Sequence, residues 1–309
     1  NVVDLNIVLP DGFLNEEVRC GYTVTKQMKE VWAVELDMLE KLLSVCKKHD
    51  IKIFASGGTM LGAVRHQGFI PWDDDIDMMM FRDDYEKLCK VAQEEFEYPY
   101  FFQTEYTDVG SLRGHAQLRN SATTGILAGE RNQKYSFNQG IFLDIFPLDN
   151  IPDDKRQREN QAKKIRHYKN RACFWAKFTT RYSGTSKSVL KQNVKKMISG
   201  LFGNFMEKYQ LEKRDYCRFE KACEEFDFDK TLLVSTLSLD ESNEAFYKYK
   251  EDYIETIDMP FEFISIPVGK KYDHALQKRY GNYMEIVKGG SCHGGVFFDT
   301  EKSYCEYVK

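Results

Sequence analysis

The stretch Asp73-Asp74-Asp75-Ile76-Asp77 places four carboxylates within five residues. On a strand, residues two apart share a face, so Asp75 and Asp77 are expected to aim together while Ile76 turns inward. Neighbouring carboxylates repel and raise each other's pKa unless a cation lies between them. A divalent ion resolves that conflict, and Mg²⁺ favours one or two carboxylates completed by phosphate oxygens and water. A solvated acidic turn is the alternative. It fits poorly, because the run is flanked by Phe69-Ile70-Pro71-Trp72 and Met78-Met79-Met80 rather than by polar surface.

Two further features can serve the same chemistry. Asp144 lies inside the apolar run Gly140 to Phe146. A lone acid there is costly unless it is paired or metal-bound, so Asp144 is expected to complete the cluster or act as general base. Upstream, Ser56-Gly57-Gly58-Thr59 separates an apolar run from a short helical stretch. Glycine lets backbone approach a ligand, and a helix start offers free N–H groups to phosphate. Arg65 and His66, at the other end of that stretch, can add positive charge. A tight strand-to-helix turn would need glycine anyway, so the pair gains weight only from the acidic run that follows it.

These residues need elements to hold them. Thr23 to Asp50 reads as an amphipathic helix, with Met28, Trp32, Leu36, Leu39, Leu43 and Cys46 at spacings of three and four. Ile51 to Ala55 suits a buried strand, Thr59 to His66 a short helix, and Asp75 to Phe81 a strand with one polar end. Arg82 to Glu95 returns to helix. Tyr98 to Gln103, His115 to Arg119, Thr123 to Leu127 and Gly140 to Phe146 are further strands, and Pro147 and Pro152 bracket a loop. Asp153 to about Phe226 is basic, poor in glycine and helical in pattern. Thr231 to Ile266 carries short β-prone runs. Tyr272 to Tyr280 is a helix stopped by Gly281. Gly289 to Gly295 is a loop holding Cys292 and His293. The expected division is an α/β (α+β) catalytic core over 1–150, a helical insertion over 151–226, and a C-terminal section over 227–309 packed on the core.

The segment Phe54 to Asp77 resembles the signature of the LicD family. That family includes phosphocholine transferases of bacterial surface polysaccharides and is related to fukutin-type ribitol-phosphate transferases. The likeness extends to Trp32 to Leu39, to Gln117-Leu118-Arg119-Asn120 with Thr123 and Thr124, and to Gly140 to Asp149, with a weaker echo over Leu276 to Met284. It implies a nucleotidyltransferase-like mixed sheet with Asp75, Asp77 and Asp144 as metal ligands and catalytic acids, and Asp73 nearby. It implies substrate contacts at Ser56, Gly57, Gly58 and Thr59, with Arg65, His66, Arg119 and Thr124 as further candidates. The implied cofactor is Mg²⁺ or Mn²⁺. The implied donor is CDP-linked, CDP-choline above all, and the acceptor is a glycan or lipid-linked glycan of lipopolysaccharide or teichoic acid. A hydroxyl would attack the distal phosphorus and CMP would leave. Choline has no N–H to donate, so aromatic faces would hold it, with Trp72, Tyr135, Phe137 and Trp175 as candidates by type.

Composition narrows the alternatives. The chain has 309 residues, 42% hydrophobic and 30% charged, as a globular protein does. A formal net charge of -4 argues against a nucleic-acid polymer as partner. No window approaches the ~18 apolar residues of a membrane span, and the start lacks a signal-peptide pattern. Eight scattered cysteines without a CxxC pair fit reduced thiols. The expected location is the cytoplasm, with peripheral contact at the inner membrane face left open. The basic run Lys155 to Arg171, which holds one acid, Glu159, would suit an acidic glycan or a membrane surface. No HExxH pattern supports a zinc hydrolase. Three rivals remain. A nucleotidyltransferase would release pyrophosphate. A GT-A glycosyltransferase would need a Rossmann-like half before the acidic motif. A non-catalytic nucleotide- or glycan-binding protein would not need the full acid set.

Overall fold

The computed structural model describes residues 2–131, 134–176, 182–183, 210–289 and 295–308. A ribbon of β1 (Glu17–Arg19) and β2 (Tyr22–Val24) leads into α1 (Lys26–Lys48), the longest helix among the described residues. Thr25 caps α1 by accepting the Met28 N–H at 3.2 Å, and Lys47 and Lys48 complement its C-terminal dipole. Its apolar stripe is wholly enclosed: Trp32, Leu36, Leu39 and Leu42 have no exposed surface. Each such side chain contributes about 1.5–3 kcal/mol of transfer free energy.

The sheet that positions the site follows. β3 (Phe54–Ala55) runs into α2 (Gly57–His66), then β4 (Asp77–Phe81), α3 (Arg82–Glu95), β5 (Tyr100–Gln103) and β6 (Ala116–Asn120). After β7 (Thr124–Leu127) and β8 (Lys134–Tyr135) comes β9 (Ile141–Ile151), the central strand. One edge of β9 pairs in parallel with β4, placing Asp77 opposite Asp144. Its other edge pairs antiparallel with β6 over residues 141–145 and with β11 (Leu233–Ser235) over 149–151. β3 and β5 pair outward from β4 and β6, and β12 (Lys248–Tyr249) pairs with β11. The sheet is therefore mixed, and with its helices the fold is α+β, as expected.

Pro147 lies inside β9 and does not open a loop. The Asp144 N–H donates toward β4, at 2.9 Å from the Ile76 carbonyl. Alternation therefore turns position 147 toward the other edge, where β6 has ended and β11 has not begun. A proline, which has no N–H, costs no ladder bond there. Two other expectations shift locally. Only Phe54 and Ala55 of the Ile51 to Ala55 run are strand, and α2 begins at Gly57, so both glycines lie in its first turn.

The basic segment yields α4 (Lys155–Ala176) and α5 (Leu211–Cys223), joined by a second apolar cluster that includes Ile165, Tyr216 and Phe219. β10 (Tyr182–Ser183) pairs with β8. Residues 177–181 and 184–209 of the expected helical segment, with Cys292 and His293, lie outside the described residues. The C-terminal section adds the ribbon β13 (Thr256–Phe261) and β14 (Ile264–Gly269), then α6 (Tyr272–Tyr280), ended by Gly281 at φ +64°. β15 (Val296–Asp299) pairs with β7. Phe261, Ile266, Val268 and Leu276 join the same core as α1 and β4. No helix among the described residues is long and apolar enough to cross a membrane.

Candidate active site

The parallel register of β4 and β9 brings Asp77 and Asp144 side by side at the ends of two adjoining strands. Asp75 stands two residues before β4, in extended lead-in chain rather than on the strand. Strand alternation is therefore not what aims it. It nonetheless converges, since one carboxylate oxygen each from Asp75, Asp77 and Asp144 lie within 4.8 Å of one another. Burial, with Asp77, Asp73, Asp144 and Glu35 adding to it, pushes the Asp75 carboxyl up to about 11. Three acids so arranged need positive charge between them. Oxygen-only ligands and partial enclosure fit a hard divalent ion.

Asp144 is oriented from behind. Its Oδ1 accepts the Gln117 amide at 2.6 Å and meets His115 Nε2 at 3.0 Å. Burial opposes its charge, but His115 and Gln117 outweigh burial and hold Asp144 below its usual value. His115 packs on Phe146, and its buried Nδ1 has no hydrogen-bond partner. Gln117 is steadied by Arg119, which also reaches Gln103 at 2.6 Å and the Gly140 carbonyl at 2.8 Å.

On the other flank of Asp77 lies the start of α2. Thr59 Oγ1 accepts the Asp77 N–H at 2.8 Å, and the Ser56 N–H donates to the Asp77 carbonyl at 2.9 Å. Gly57 has φ +47°, a conformation that disfavours side chains, and a Cβ there would lie 3.6 Å from Asp77 Oδ2. A Cβ on Gly58 would sit 2.5 Å from Asp73 Oδ2. Gly58→Ala should therefore swing the Asp73 carboxylate aside without harming the helix, because alanine favours helix. The expected result is an unchanged melting temperature with turnover lowered about tenfold, or by about 1.4 kcal/mol in barrier. Unchanged turnover would show that Asp73 has no part in the site.

The lead-in loop is held from both ends of the chain. Trp32 Nε1 donates to the Asp73 carbonyl at 3.1 Å while its ring stacks on Phe69 at 4.5 Å. Glu262, between β13 and β14, accepts both Arg19 nitrogens and the Phe69 N–H.

Several expected contacts lie elsewhere. Arg119 has no exposed surface, and its bonds are spent inside the protein, so it supports Gln117 instead of facing a donor diphosphate. Thr124 is also buried and donates to the Lys302 carbonyl at 2.8 Å. Arg65 grips the carbonyls of Tyr283 and Glu285 at 2.7 and 2.9 Å, and His66 accepts from Arg65 Nε. Both sit at the far end of α2, about 12 Å of helix from Gly57. Among the aromatic candidates, Trp72 precedes Asp73 and meets Tyr22 edge-on. Tyr135 stacks on Phe137, and Trp175 donates to Asp215.

Glu35 was not among the expected site residues. It is 1% exposed, and burial, followed by Asp74, Asp73, Asp77 and Asp144, pushes its carboxyl well up. Its Oε2 has no hydrogen-bond partner. The available signal was its place between Trp32 and Leu36, where an acid interrupts the apolar stripe. His115 and Gln117 carried no such mark, because their role depends on the β6–β9 register.

An acid cluster beside a glycine-started helix on a mixed sheet fits the nucleotidyltransferase-like domain that the sequence resemblance implies. Residues 50–179 match the LicD/FKTN/FKRP nucleotidyltransferase domain. Residues 50–179 thus form a domain of LicD type, and the comparisons support a transferase. It is 26% identical over 264 residues to the lipopolysaccharide cholinephosphotransferase LicD of Haemophilus influenzae, covering 84% of this chain and 92% of that protein. It is also 31% identical over 100 residues to an uncharacterized protein of Rickettsia prowazekii, covering 32% of this chain and 35% of that one.

Proposed function

We propose that the protein transfers phosphocholine from CDP-choline to a sugar hydroxyl of lipopolysaccharide and releases CMP. The observation that carries this reading is the convergence of Asp75, Asp77 and Asp144 beside the first turn of α2. The cholinephosphotransferase of Haemophilus influenzae, similar along nearly its whole length, supports the choice of group and acceptor.

Asp75, Asp77 and Asp144 would hold Mg²⁺ or Mn²⁺. When bound, such an ion neutralises charge on the transferred and departing phosphate oxygens. The acceptor oxygen forms a new bond to the distal phosphorus. The bond from that phosphorus to the bridging oxygen breaks, and the electron pair leaves with CMP. The hydroxyl proton passes to Asp144 or another acid of the cluster, with Asp144 held in place by His115 and Gln117 at Oδ1. Thr59 and Ser56 fix Asp77 by its backbone, so its carboxylate is positioned before substrate arrives. Trp72, half-buried next to Asp73, offers an aromatic face to the quaternary ammonium. A cytidine nucleotide donor is consistent with work at the cytoplasmic face of a membrane.

The test is product analysis. Purified protein with CDP-choline, Mg²⁺ and lipopolysaccharide should form CMP and choline-bearing lipopolysaccharide, and EDTA should stop both. Release of pyrophosphate from a nucleoside triphosphate, with no CMP from CDP-choline, would replace this reading by nucleotidyl transfer.

A further inference from the structure

A second cluster borders the site at Gly57, and none of its side chains was among the expected contacts. β12 contributes Lys248, and the end of α6 contributes Lys278, Arg279 and Tyr280. All four line one cavity with Gly57. Among the described residues, none of the three cations makes an ion pair with a carboxylate. Their close partners are neutral. Lys248 Nζ reaches the Phe246 carbonyl at 3.2 Å, and Arg279 the Ala245 carbonyl at 3.4 Å. Arg279 also lies 4.2 Å from the Phe246 ring centroid, and Lys278 lies 4.3 Å from that of Tyr249. The acid in the cavity wall, Asp252, is engaged by His274 Nδ1 at 2.9 and 3.0 Å.

Half-buried Lys248 shares this cavity with the more exposed Lys278 and Arg279, and like charges gathered at one cavity favour an anion there. Burial, with Arg279 and Lys278 adding to the fall, lowers the Lys248 ammonium to about 8, while Asp77 acts in the opposite sense. The last influence places Lys248 within electrostatic reach of the acid cluster. Gly57 is the junction. A Cβ at Gly57 would lie 3.6 Å from Asp77 Oδ2 and 3.8 Å from the Tyr280 hydroxyl. Acids suited to a cation and cations suited to an anion thus meet at the first turn of one helix, whose N–H groups also favour anions.

We propose that Lys248, Lys278, Arg279 and Tyr280 form with Gly57 a phosphate subsite that holds the departing nucleotide's phosphate, while the other phosphate of the donor lies at Asp75, Asp77 and Asp144. The assignment of the anion to a nucleotide rests on the transferase reading given above. The subsite itself is a claim about linked phosphates and can be tested without transfer.

The experiment is calorimetric titration of the full chain with inorganic pyrophosphate in metal-free buffer containing EDTA. Wild-type protein should bind, and Lys248→Gln and Arg279→Gln should each weaken binding about tenfold. Tyr280→Phe should weaken it less. Lys270→Gln, which alters an exposed lysine paired with Glu255, should bind as wild type does. Asp77→Asn should bind pyrophosphate at least as well as wild type. Arg279 is exposed, so its variant folds and keeps the test decisive even if Lys248→Gln does not. Absence of pyrophosphate binding by wild type, or wild-type affinity in Arg279→Gln, overturns the subsite. Pyrophosphate binding that Lys248→Gln and Arg279→Gln weaken, in a protein that releases no CMP from CDP-choline, would uphold the subsite and reject only the donor.

Discussion

Replacing Asp77 by asparagine is expected to lower turnover on the order of 10³-fold, or about 4 kcal/mol in barrier, without lowering the melting temperature of metal-free protein. The two halves of this expectation come from one cause. Asp75, Asp77 and Asp144 crowd their negative charges within 4.8 Å, which is useful only when a cation is shared among them. Without one, the crowding is a local strain that adds to burial in pushing the Asp75 carboxyl up. Removing one charge relieves the strain and ends the sharing. Asp75→Asn should behave the same way. Circular dichroism melts in EDTA and CMP release with Mg²⁺ measure the two effects. A lower melting temperature in EDTA would identify Asp77 as a structural anchor, and retained turnover would remove it from the chemistry.

Arg119→Met should show the opposite balance, with a large loss of stability and a secondary loss of activity. The guanidinium has no exposed surface, and its pKa is pushed down to about 9 by burial, with Arg113 adding to the fall. It persists because Gln103, Gln117 and Gly140 each accept from it. Methionine fills similar space but strands three buried oxygens, at about 1–3 kcal/mol each. Against a total stability of about 5–15 kcal/mol, the melting temperature should fall by roughly 10 °C. Gln117 would then lose the bond that sets its amide, and Asp144 would lose its orientation. Arg119→Lys should not restore either property, because one ammonium cannot reproduce the planar fork. A variant that melts with the wild type would show that the β5–β6–β9 layer is held by packing alone.

The acids were legible in the sequence because their expense is local. Asp144 inside Ile141 to Phe146, and four aspartates beside an apolar flank, need a reason wherever they are placed. The helices were legible from local signals too: α1 and α3 carry their own periodicity, α1 its Thr25 cap and α6 its Gly281 stop. What could not be read is what register and distant contacts decide. His115 and Gln117 matter because β6 pairs with β9 at those positions. Pro147 reads as a loop former until the gap between β6 and β11 is known. Arg119 resembles any basic residue near a phosphate site, and only its enclosure reveals that its bonds are already made. Lys248 and Arg279 lie 171 and 202 positions beyond Asp77, on elements whose convergence no local pattern encodes.

The matched segment opens at residue 50, just past α1. Yet the indole of Trp32 secures the backbone of Asp73, and Glu35 stands among the acids it influences. The cut drawn by family likeness therefore passes between the reactive bend and its own foundation. Damage at Trp32 would masquerade as a chemical defect although that side chain meets no reactant.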